Sequence, residues 1–389
     1  MLTETSLSPA PAPLPPLPPL PPLPPVARPG DPVSALDTPT LVLEMSAFER
    51  NVAQLQAACT AAGVDLRPHA KAHKCPEIAL AQIAAGAVGV CCQKVSEAWP
   101  FVAAGVRDIH ISNQVTGIRK ATMLAELARH ATLSVCVDHP AQIETLGHAL
   151  QVSGAHLTVL VEINVGQDRC GVTGADAALA LLERISAQPQ MRFGGLQAYH
   201  GKVQHMRTRE ERARVAAGAG RIAADVKAAL QARGIPVERV TGGGTGSVEF
   251  DLAGGVYTEI QAGSYALMDA DYQRNDWSAP WRYEQALFCA SRVTSIGDGT
   301  RSVLDAGLKT LAVDTGLPTV AAEGLSYVAA NDEHGILRSE GGRLPGLDEL
   351  VMLVPGHVDP TLNLHDEIVC VRAGRVEAIW PISARGLSR

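Results

Sequence analysis

The stretch Arg67-Pro68-His69-Ala70-Lys71-Ala72-His73-Lys74 decides how the rest of the chain is interpreted, because it places a lysine at the end of a predicted strand. The strand is predicted over residues 64–71, directly after a glycine that ends a helical pattern. Side chains alternate between the faces of a strand, so Arg67, His69 and Lys71 would share one face. Neighbouring positive charge disfavours an ammonium ion, and the neutral amine is the form that attacks carbonyls. A solvated basic turn is the simpler alternative.

The composition is that of a globular protein. The chain has 389 residues, of which 46% are hydrophobic and 19% charged, enough to bury a large core in more than one domain. The net charge of -7 gives no support for nucleic-acid binding, and no apolar run has the length of a membrane span. Eight cysteines without a C-x-x-C pair favour reduced thiols and therefore a cytoplasmic protein.

The first 32 residues differ from the rest in composition. Thirteen of the 26 prolines lie between Pro9 and Pro32, in a Pro-Pro-Leu repeat that favours extended polyproline II and cannot build a core. The segment lacks the basic start and continuous apolar stretch of a signal peptide. We therefore expect residues 1–32 to form a disordered proline-rich tail; the alternative is a docking site for a proline-binding partner.

Residues 45–283 alternate between strand and helix patterns. The predicted strands cover residues 64–71, 88–92, 108–112, 132–137, 157–164, 193–199, 237–241 and 259–263. The predicted helices cover residues 46–62, opened by a capping box at Ser46 and Glu49, and then 76–85, 96–104, 119–129, 140–152, 175–187 and 210–233. No helix is predicted between the last two strands. Eight strands in this alternation indicate an α/β fold with a (β/α)8 barrel; a doubly wound open sheet is the alternative.

The pattern changes after about residue 283. Short strands are predicted over residues 286–294, 301–305, 350–354, 368–371 and 375–380, with turns between them and no long helix. We therefore predict a C-terminal all-β domain, formed by residues 284–389 together with the strand in residues 33–44.

Polar and glycine residues follow the predicted barrel strands, where barrel enzymes carry their catalytic groups. They include Lys71, Gln93, Arg169, Tyr199, His205, the run GGGTGS (residues 242–247) and the run GSY (residues 263–265). Glycines let a backbone approach a phosphate, and loops after the seventh and eighth strands of barrels frequently bind one. A phosphate site opposite a strand-end lysine suggests pyridoxal phosphate. Lys74, Lys94 and Lys309 are the rival lysines, and Arg169 has the alternative of pairing with Asp168.

A second group of residues lies in the β domain. His357 and Asp359 would point the same way in an extended backbone, and imidazole with carboxylate suits Mn²⁺ or Zn²⁺. Two protein ligands would leave positions for water or substrate. The alternative is a turn bounded by prolines, in which Asp359 bonds its own backbone. His365, Asp366 and Glu367 could add a ligand or form a solvated strand start.

Six stretches carry a resemblance to a known family. They are RPHAKAHKCP (residues 67–76), CCQKVSEA (91–98), GGGTGS (242–247), QAGSYA (261–266), DEHG (332–335) and HVDPT (357–361). Together they resemble the D-threonine aldolase group of pyridoxal-phosphate enzymes, which have an alanine-racemase-like fold. The resemblance runs from about residue 36 to the C-terminus.

The resemblance implies a role for each candidate residue. It implies Lys71 as the lysine that forms the Schiff base, and His205 as the candidate base. It implies that the cofactor is surrounded by Gln93, Arg169, Tyr199, Thr245, Gly263, Ser264 and Tyr272. His357 and Asp359 would bind Mn²⁺, Mg²⁺ or a similar divalent ion. Asp359 favours an aldolase, because dehydratase relatives tend to carry cysteine there, and thiolate prefers Zn²⁺.

The function that follows from the resemblance is the retro-aldol cleavage of D-β-hydroxy-α-amino acids, such as D-threonine, to glycine and an aldehyde. The partners implied are this small-molecule substrate and a second copy of the chain in a homodimer. Three alternatives stay open at this point: a 3-hydroxyaspartate aldolase, a dehydratase or racemase, and a non-catalytic protein that carries the cofactor.

Overall fold

The computed structural model describes residues 20–389. Its first strand, β1 (Thr40–Glu44), runs directly into helix α1 (Met45–Ala62), which Gly63 ends in the left-handed conformation. The carboxylate of Glu44 caps this helix by accepting a hydrogen bond from the backbone N–H of Ala47 at 2.7 Å. The predicted capping box at Ser46 was therefore wrong, because an acidic side chain two residues earlier already reaches the free N–H groups.

Eight parallel strands follow in the order the sequence predicts. They are β2 (Asp65–Leu66), β3 (Val90–Cys92), β4 (Asp108–Gln114), β5 (Thr132–Val137), β6 (Leu157–Glu162), β7 (Met191–Ala198), β8 (Arg239–Gly242) and β9 (Glu259–Ile260). Neighbouring strands pair in the order β2-β9-β8-β7-β6-β5-β4-β3. A parallel bridge between His69 and Cys91 joins the two end strands, so the sheet closes on itself. The predicted barrel is confirmed, and the open-sheet alternative is wrong.

Helices cover the outside of the barrel. They are α2 (Pro76–Ala84), α3 (Val95–Ala103), α4 (Ile118–Leu127), α5 (Pro140–Ser153), α6 (Ala175–Ser186), α7 (Arg209–Gln231) and α8 (Val248–Ala253). Helix α8 lies where no helix was predicted, because six residues are too few to show a helical period. No helix in residues 20–389 is both long and apolar enough to cross a membrane.

The first barrel strand is much shorter than the predicted range 64–71. It ends at Leu66, and residues 70–72 form a single turn of 3-10 helix. Pro68 offers no N–H for the sheet, and the Nδ1 atom of His69 accepts a hydrogen bond from the backbone of Lys71 at 3.3 Å. Lys71 therefore lies in a turn beyond the strand, not on the strand face that the sequence predicted.

The barrel interior around Arg67 is polar. Its guanidinium is buried, and it donates to Glu259 at 2.9 Å and to Asp108 at 2.8 Å. A Cβ atom at Gly89 would come within 2.5 Å of this guanidinium, so only glycine fits there. Breaking such a buried pair leaves an unpaired charge, so these contacts hold the ends of β2, β4 and β9 in fixed register.

The remaining strands form a nine-stranded sheet that includes β1. They are β10 (Leu287–Ser295), β11 (Ser302–Leu304), β12 (Thr319–Val320), β13 (Leu325–Ala330), β14 (Gly335–Ser339), β15 (Leu350–Val354), β16 (Glu367–Arg372) and β17 (Arg375–Pro381). Strand β1 pairs antiparallel with β10 and parallel with β16. Strands β12, β13 and β14 were not predicted, because they are short or exposed and show little apolar alternation.

The prediction for residues 1–32 concerns mainly residues outside the described range. Within that range, Val26–Pro32 differs from a free tail. Ala27 is buried beside Leu36, the N–H of Gly30 donates to Val376 at 2.8 Å, and Pro32 forms a bridge with Arg375. Residues 26–32 therefore pack on the β-rich region, because the hairpin of β16 and β17 offers them free backbone groups.

Candidate active site

Lys71 and Asp359 come together where the barrel meets the β-rich region. The Nζ atom of Lys71 donates to Oδ2 of Asp359 at 2.5 Å. Burial lowers the pKa of Lys71, but the carboxylate outweighs this effect, so the pKa lies above its usual value. Burial likewise raises the pKa of Asp359, and Lys71 reverses this and lowers it to about 2. The expected loss of a proton from Lys71 through its basic neighbours is thus not seen, because the nearest charge is negative.

His357 and Asp359 do not lie in an extended backbone. Asp359 is in the first turn of helix α10 (Val358–Leu362), and His357 is the residue before that helix. The helix begins here because Oδ2 of Asp269 accepts a hydrogen bond from the N–H of Val358 at 2.8 Å. The same carboxylate caps helix α9 (Ala270–Gln273) through the N–H of Tyr272. Asp269, which the sequence did not reveal, therefore positions both Asp359 and Tyr272.

The side chain of His357 is oriented by an acidic neighbour. Its Nδ1 atom lies 2.7 Å from Oδ2 of Asp314, a residue that sequence reasoning missed. A carboxylate on one nitrogen of an imidazole fixes the orientation of the ring and leaves the other nitrogen for a metal. Among residues 20–389, no three His, Cys, Asp or Glu side chains converge as a metal-binding group. His357 and Asp359 fit a divalent ion whose other ligands are water or substrate oxygens.

His365 and Asp366, in the neighbouring acidic stretch, are not placed as metal ligands. The Nε2 atom of His365 lies 2.9 Å from the carbonyl of Thr310, and Asp366 pairs with Arg385. Both side chains are therefore used in structural contacts.

A cavity of about 370 Å³ joins the two groups of candidate residues. Its walls are formed by Lys71, Lys74, Gln93, Lys94, Glu97, Asp314, His357, Asp359, Pro360, Asn363 and Ser388. A larger groove of about 920 Å³ opens among Arg107, His156 and Arg192, at the opposite end of the barrel, and contains none of the predicted site residues. Four predicted site residues therefore line the smaller cavity: Lys71, Gln93, His357 and Asp359.

The rival lysines differ in their surroundings. Lys74 is buried and pairs with Glu97 at 3.0 Å, whereas Lys309 is exposed and pairs with Glu333. Lys94 lies on the wall of the cavity, but Lys71 is the lysine that contacts Asp359 there. Lys71 is therefore the lysine that the structure brings to the predicted metal ligands.

The loops after β8 and β9 present backbone N–H groups to one region. Oγ1 of Thr245 accepts from the N–H of Tyr265 at 3.0 Å, which holds the two loops side by side. Within residues 20–389, the N–H groups of Thr245, Gly263 and Ser264 have no protein acceptor. Unpaired N–H groups in adjacent loops form a cradle for an anion. These loops therefore fit the phosphate group predicted there.

The glycines of these loops also serve protein packing. A Cβ atom at Gly244 would lie 2.6 Å from Oε1 of Gln204, and one at Gly246 would lie 2.3 Å from its carbonyl. Gln204 is buried, accepts from the N–H of Gly246 at 2.8 Å and donates to Ser247 at 2.9 Å. A Cβ atom at Gly263 would come within 2.7 Å of the carbonyl of His69. Sequence reasoning missed Gln204, because nothing in the sequence links it to residues 40 positions away.

His205 lies in the turn that follows β7. Its Nδ1 atom is 2.5 Å from Oδ2 of Asp271, and its ring lies 5.3 Å from that of Tyr272, measured between centroids. Asp271 is buried, and its pKa is well below its usual value, because hydrogen bonds from His205, Arg207 and Arg274 outweigh the effect of burial. A carboxylate that fixes one imidazole nitrogen leaves the other free to exchange a proton.

The remaining candidates surround Lys71. Burial raises the pKa of Tyr199, an effect that the positive charges of Lys71 and Arg169 reduce. The guanidinium of Arg169 lies over the Tyr199 ring at 5.4 Å, and Asp168 instead accepts from Asn164. The alternative pairing of Arg169 with Asp168 is therefore absent from the described contacts.

Gln93, Ser264 and Tyr272 are the last of the predicted site residues. Gln93 lines the cavity, and its side chain contacts the ring of His69. Ser264 donates to Oδ1 of Asp359 at 3.4 Å, and its hydroxyl also contacts the phenol of Tyr272. All of these predicted residues therefore lie at the carboxyl end of the barrel.

Two family models match the chain. The model described as alanine racemase, N-terminal domain, matches residues 43–271, and a serine dehydratase domain matches residues 286–371. The chain is 55% identical over 365 residues to a D-threonine aldolase of an Arthrobacter species, a match that covers 93% of this chain and 96% of the relative. It is 42% identical over 369 residues to the 3-hydroxy-D-aspartate aldolase of Paracoccus denitrificans strain Pd 1222, a match that covers 92% and 95%.

A solved structure shares the whole fold. The crystal structure of the D-threonine aldolase from Filomicrobium marinum superimposes with a TM-score of 0.92 at 46% sequence identity. The match covers 94% of this chain and all of the other. The similarity therefore extends over both the barrel and the β-rich region.

Proposed function

The chain belongs to the D-threonine aldolase family of enzymes with an alanine-racemase-like barrel, and from this premise we propose that it is a carbon–carbon lyase. Its reaction is the retro-aldol cleavage of D-threonine and related D-β-hydroxy-α-amino acids to glycine and an aldehyde. The main observation behind the proposal is the contact between Lys71 and Asp359, because it brings the candidate cofactor lysine and the candidate metal ligand together in one cavity. The identity of 55% to a D-threonine aldolase supports it.

The residues around Lys71 fit pyridoxal phosphate. The unpaired N–H groups of Thr245, Gly263 and Ser264 would hold its phosphate, and the amine of Lys71 would bind its aldehyde carbon. When bound, the cofactor ring supplies an electron sink for the pair released from the broken Cα–Cβ bond. Tyr199 lies close enough to feel the charge of Lys71, and Tyr272 lies close to Tyr199 and Asp359, so both phenols border the proposed cofactor site.

His357 and Asp359 would hold the divalent ion. A carboxylate and an imidazole with open positions suit Mn²⁺ or Mg²⁺, and we propose Mn²⁺. When bound, the ion lowers the pKa of the substrate β-hydroxyl. Asp314 keeps the imidazole of His357 in one orientation and leaves its other nitrogen available to the ion.

His205 is proposed to accept the proton of the β-hydroxyl. The carboxylate of Asp271 holds a proton on Nδ1, so Nε2 is the nitrogen that can accept another. Asp271 is in turn fixed by Arg207 and Arg274, both of which donate to its other oxygen at 2.6 Å. This chain of contacts keeps the base in one tautomer and one rotamer.

The products distinguish this function from its rivals. D-Threonine should give glycine and acetaldehyde in equal amounts, whereas a dehydratase would release ammonia and a keto acid. D-3-Hydroxyaspartate is the second substrate to assay, because a relative of 42% identity is named for it. Ammonia as the main product, or racemisation without cleavage, would overturn the proposed function. A protein that binds the cofactor but turns over none of these substrates would support the non-catalytic alternative.

We further propose that the enzyme works in the cytoplasm as a homodimer. All eight cysteines are free, and seven of them are buried, which suits a reducing compartment. The dimer rests on the family resemblance and is tested by light scattering of the purified protein.

A further inference from the structure

Lys74 lies three residues after Lys71 and has contacts of its own. Its side chain is buried, and its ammonium donates to Oγ of Ser388 at 2.5 Å and to Oδ1 of Asn363 at 3.3 Å. It also pairs with the buried carboxylate of Glu97 at 3.0 Å. All three partners of this ammonium are oxygen atoms of other side chains, so its N–H groups are used in contacts within the protein. These contacts indicate a structural role for Lys74, distinct from the role proposed for Lys71.

The partners of Lys74 come from three parts of the chain. Glu97 is in α3 of the barrel, Asn363 ends helix α10, and Ser388 belongs to the segment that follows the last strand. Helix α10 carries Asp359 in its first turn. Lys74 thus connects the turn that holds Lys71 to the far end of the helix that holds the predicted metal ligand.

The backbone at Lys74 strengthens this connection. Its φ angle is +53°, in the left-handed region that L residues rarely adopt. Its N–H donates to the carbonyl of Ala70 at 2.7 Å, and its carbonyl accepts from the N–H of Ala384 at 3.0 Å. A non-glycine residue persists in this conformation only where its neighbours fix it, and such residues cluster at functional sites.

The segment containing Ser388 is attached to the barrel at the same place. The hydroxyl of Ser96 donates to the carbonyls of Leu387 and Arg389, and the N–H of Gly386 donates to Oδ1 of Asn363 at 3.1 Å. Ser388 also lies within 3.2 Å of Glu97. The segment therefore closes one side of the cavity by joining α3 to the end of α10.

We propose that Lys74 is a positioning residue that holds helix α10, and with it Asp359, against the turn that carries Lys71. This inference rests on the proposed metal site at His357 and Asp359. Asp269 holds the start of helix α10, and without Lys74 the end of this helix would lose the hydrogen bond between Asn363 and the barrel. The groups proposed for the cofactor phosphate all lie in the barrel, so they would keep their geometry.

The test separates metal binding from cofactor binding. Lys74→Met and the milder Ser388→Ala are purified with cofactor, stripped with chelator and titrated with Mn²⁺, the free ion being measured by electron paramagnetic resonance. Loss of charged hydrogen bonds should weaken Mn²⁺ binding about tenfold in Lys74→Met, and about threefold in Ser388→Ala. The dissociation constant for pyridoxal phosphate should stay within about twofold of the parent value. Lys309→Met is the control, because it removes an exposed lysine that pairs with Glu333.

Two outcomes would overturn the inference. One is unchanged Mn²⁺ affinity in a folded Lys74→Met protein. The other is an equal loss of metal and cofactor, which would show general destabilisation. If Lys74→Met does not fold, the test rests on Ser388→Ala. In that case, an Mn²⁺ affinity of Ser388→Ala equal to that of the parent protein rejects the inference. Since these readouts are binding constants, they do not depend on which products the enzyme releases; a failure of the proposed reaction would appear only in the product assay.

Discussion

The Nζ atom of Lys71 lies 2.5 Å from Oδ2 of Asp359, although the two residues are 288 positions apart in the chain. Lys71 follows a barrel strand, and Asp359 begins a helix inserted between two strands of the β-rich sheet. The contact gives Lys71 a raised pKa and Asp359 a lowered one, so both are charged in the absence of other ligands. The pair therefore joins the lysine predicted to bind the cofactor to the carboxylate predicted to bind the metal.

Replacing Lys71 should abolish cofactor attachment. Lys71→Ala is expected to lose the visible absorbance of bound pyridoxal phosphate and all cleavage of D-threonine, because no other lysine contacts Asp359. It also leaves Asp359 without its cation, so the pKa of that carboxylate should rise from about 2. The bound cofactor is measured by absorbance spectra of Lys71→Ala and of Lys309→Ala, a control that removes an exposed lysine. Normal colour and turnover in Lys71→Ala would contradict the assignment.

Replacing Asp359 should remove the metal and keep the cofactor. Asp359→Ala is expected to retain the visible spectrum of bound pyridoxal phosphate, since Lys71 and the phosphate loops are in the barrel, and to lose turnover. In the parent protein, chelator should abolish cleavage, and Mn²⁺ should restore it better than Zn²⁺, because a carboxylate is a hard ligand. Full activity in chelator would contradict this prediction.

The order of the barrel elements could be predicted from sequence, and the end of the first strand could not. Alternating apolar strands and amphipathic helices repeat along residues 64–263, so a wrong boundary in one element does not change the fold. Strand β2 ends early because Pro68 and the ring of His69 divert the chain into a turn. Strands β12 to β14 are short or largely exposed, so the alternation by which strands are recognised in a sequence is weak in them.

Candidate site residues could be selected from the sequence where a motif contains them, and the residues that support them could not. Lys71, His357 and Asp359 belong to recognisable stretches. Asp314 orients His357 and Gln204 orients the glycine loop through contacts with residues about 40 positions away, and a single sequence does not reveal such pairs. Asp269 and Asp271 lie in a short helical segment that looks like an ordinary acidic turn. Their roles follow from burial and from partners that the fold alone supplies.

Gln204 should be needed for cofactor affinity. Gln204→Leu removes the acceptor for the N–H of Gly246 and the donor to Ser247, so the glycine loop should lose its fixed shape. We expect pyridoxal phosphate to bind about tenfold more weakly, the effect of losing one or two buried hydrogen bonds. The control is Gln142→Leu, which removes another buried glutamine that bonds backbone N–H groups, at the start of α5. Equal loss of affinity in both variants would contradict a specific role.

Asp251 should make the protein less stable as the pH rises from about 4 to 7. Burial raises its pKa to about 7, although Ser247 donates to it at 2.5 Å. The folded protein therefore binds a proton that the unfolded chain, with an Asp pKa of about 3.9, releases over this range. The contribution of Asp251 to the free energy of unfolding is fully present below pH 4 and is lost as the pH rises to 7. At about 1.4 kcal/mol per pH unit, the loss amounts to a few kcal/mol.

The matched variant is Asp251→Asn, which keeps an acceptor for Ser247 and carries no charge. Its melting temperature should exceed that of the parent at pH 8, and the difference should shrink at pH 5. A constant difference between the two pH values would show that Asp251 is not protonated in the folded protein.

Asp271 should control proton transfer by His205, because it fixes which nitrogen of the imidazole carries the proton. In Asp271→Asn the amide would donate to Nδ1 of His205 and so place the imidazole proton on Nε2, where it cannot accept the substrate proton. By analogy with carboxylate–histidine pairs in other enzymes, kcat should fall about 10²- to 10⁴-fold with KM little changed. Arg274→Gln removes a cation from the other oxygen of Asp271 and a donor to the carbonyl of Thr315, and it leaves the contact between Asp271 and His205 in place, so it is the matched control and should keep most activity. A melting temperature measured for both variants separates misfolding from loss of the base. If Asp271→Asn kept the parent kcat, or if its loss were matched in Arg274→Gln, His205 would not be the residue that takes the proton.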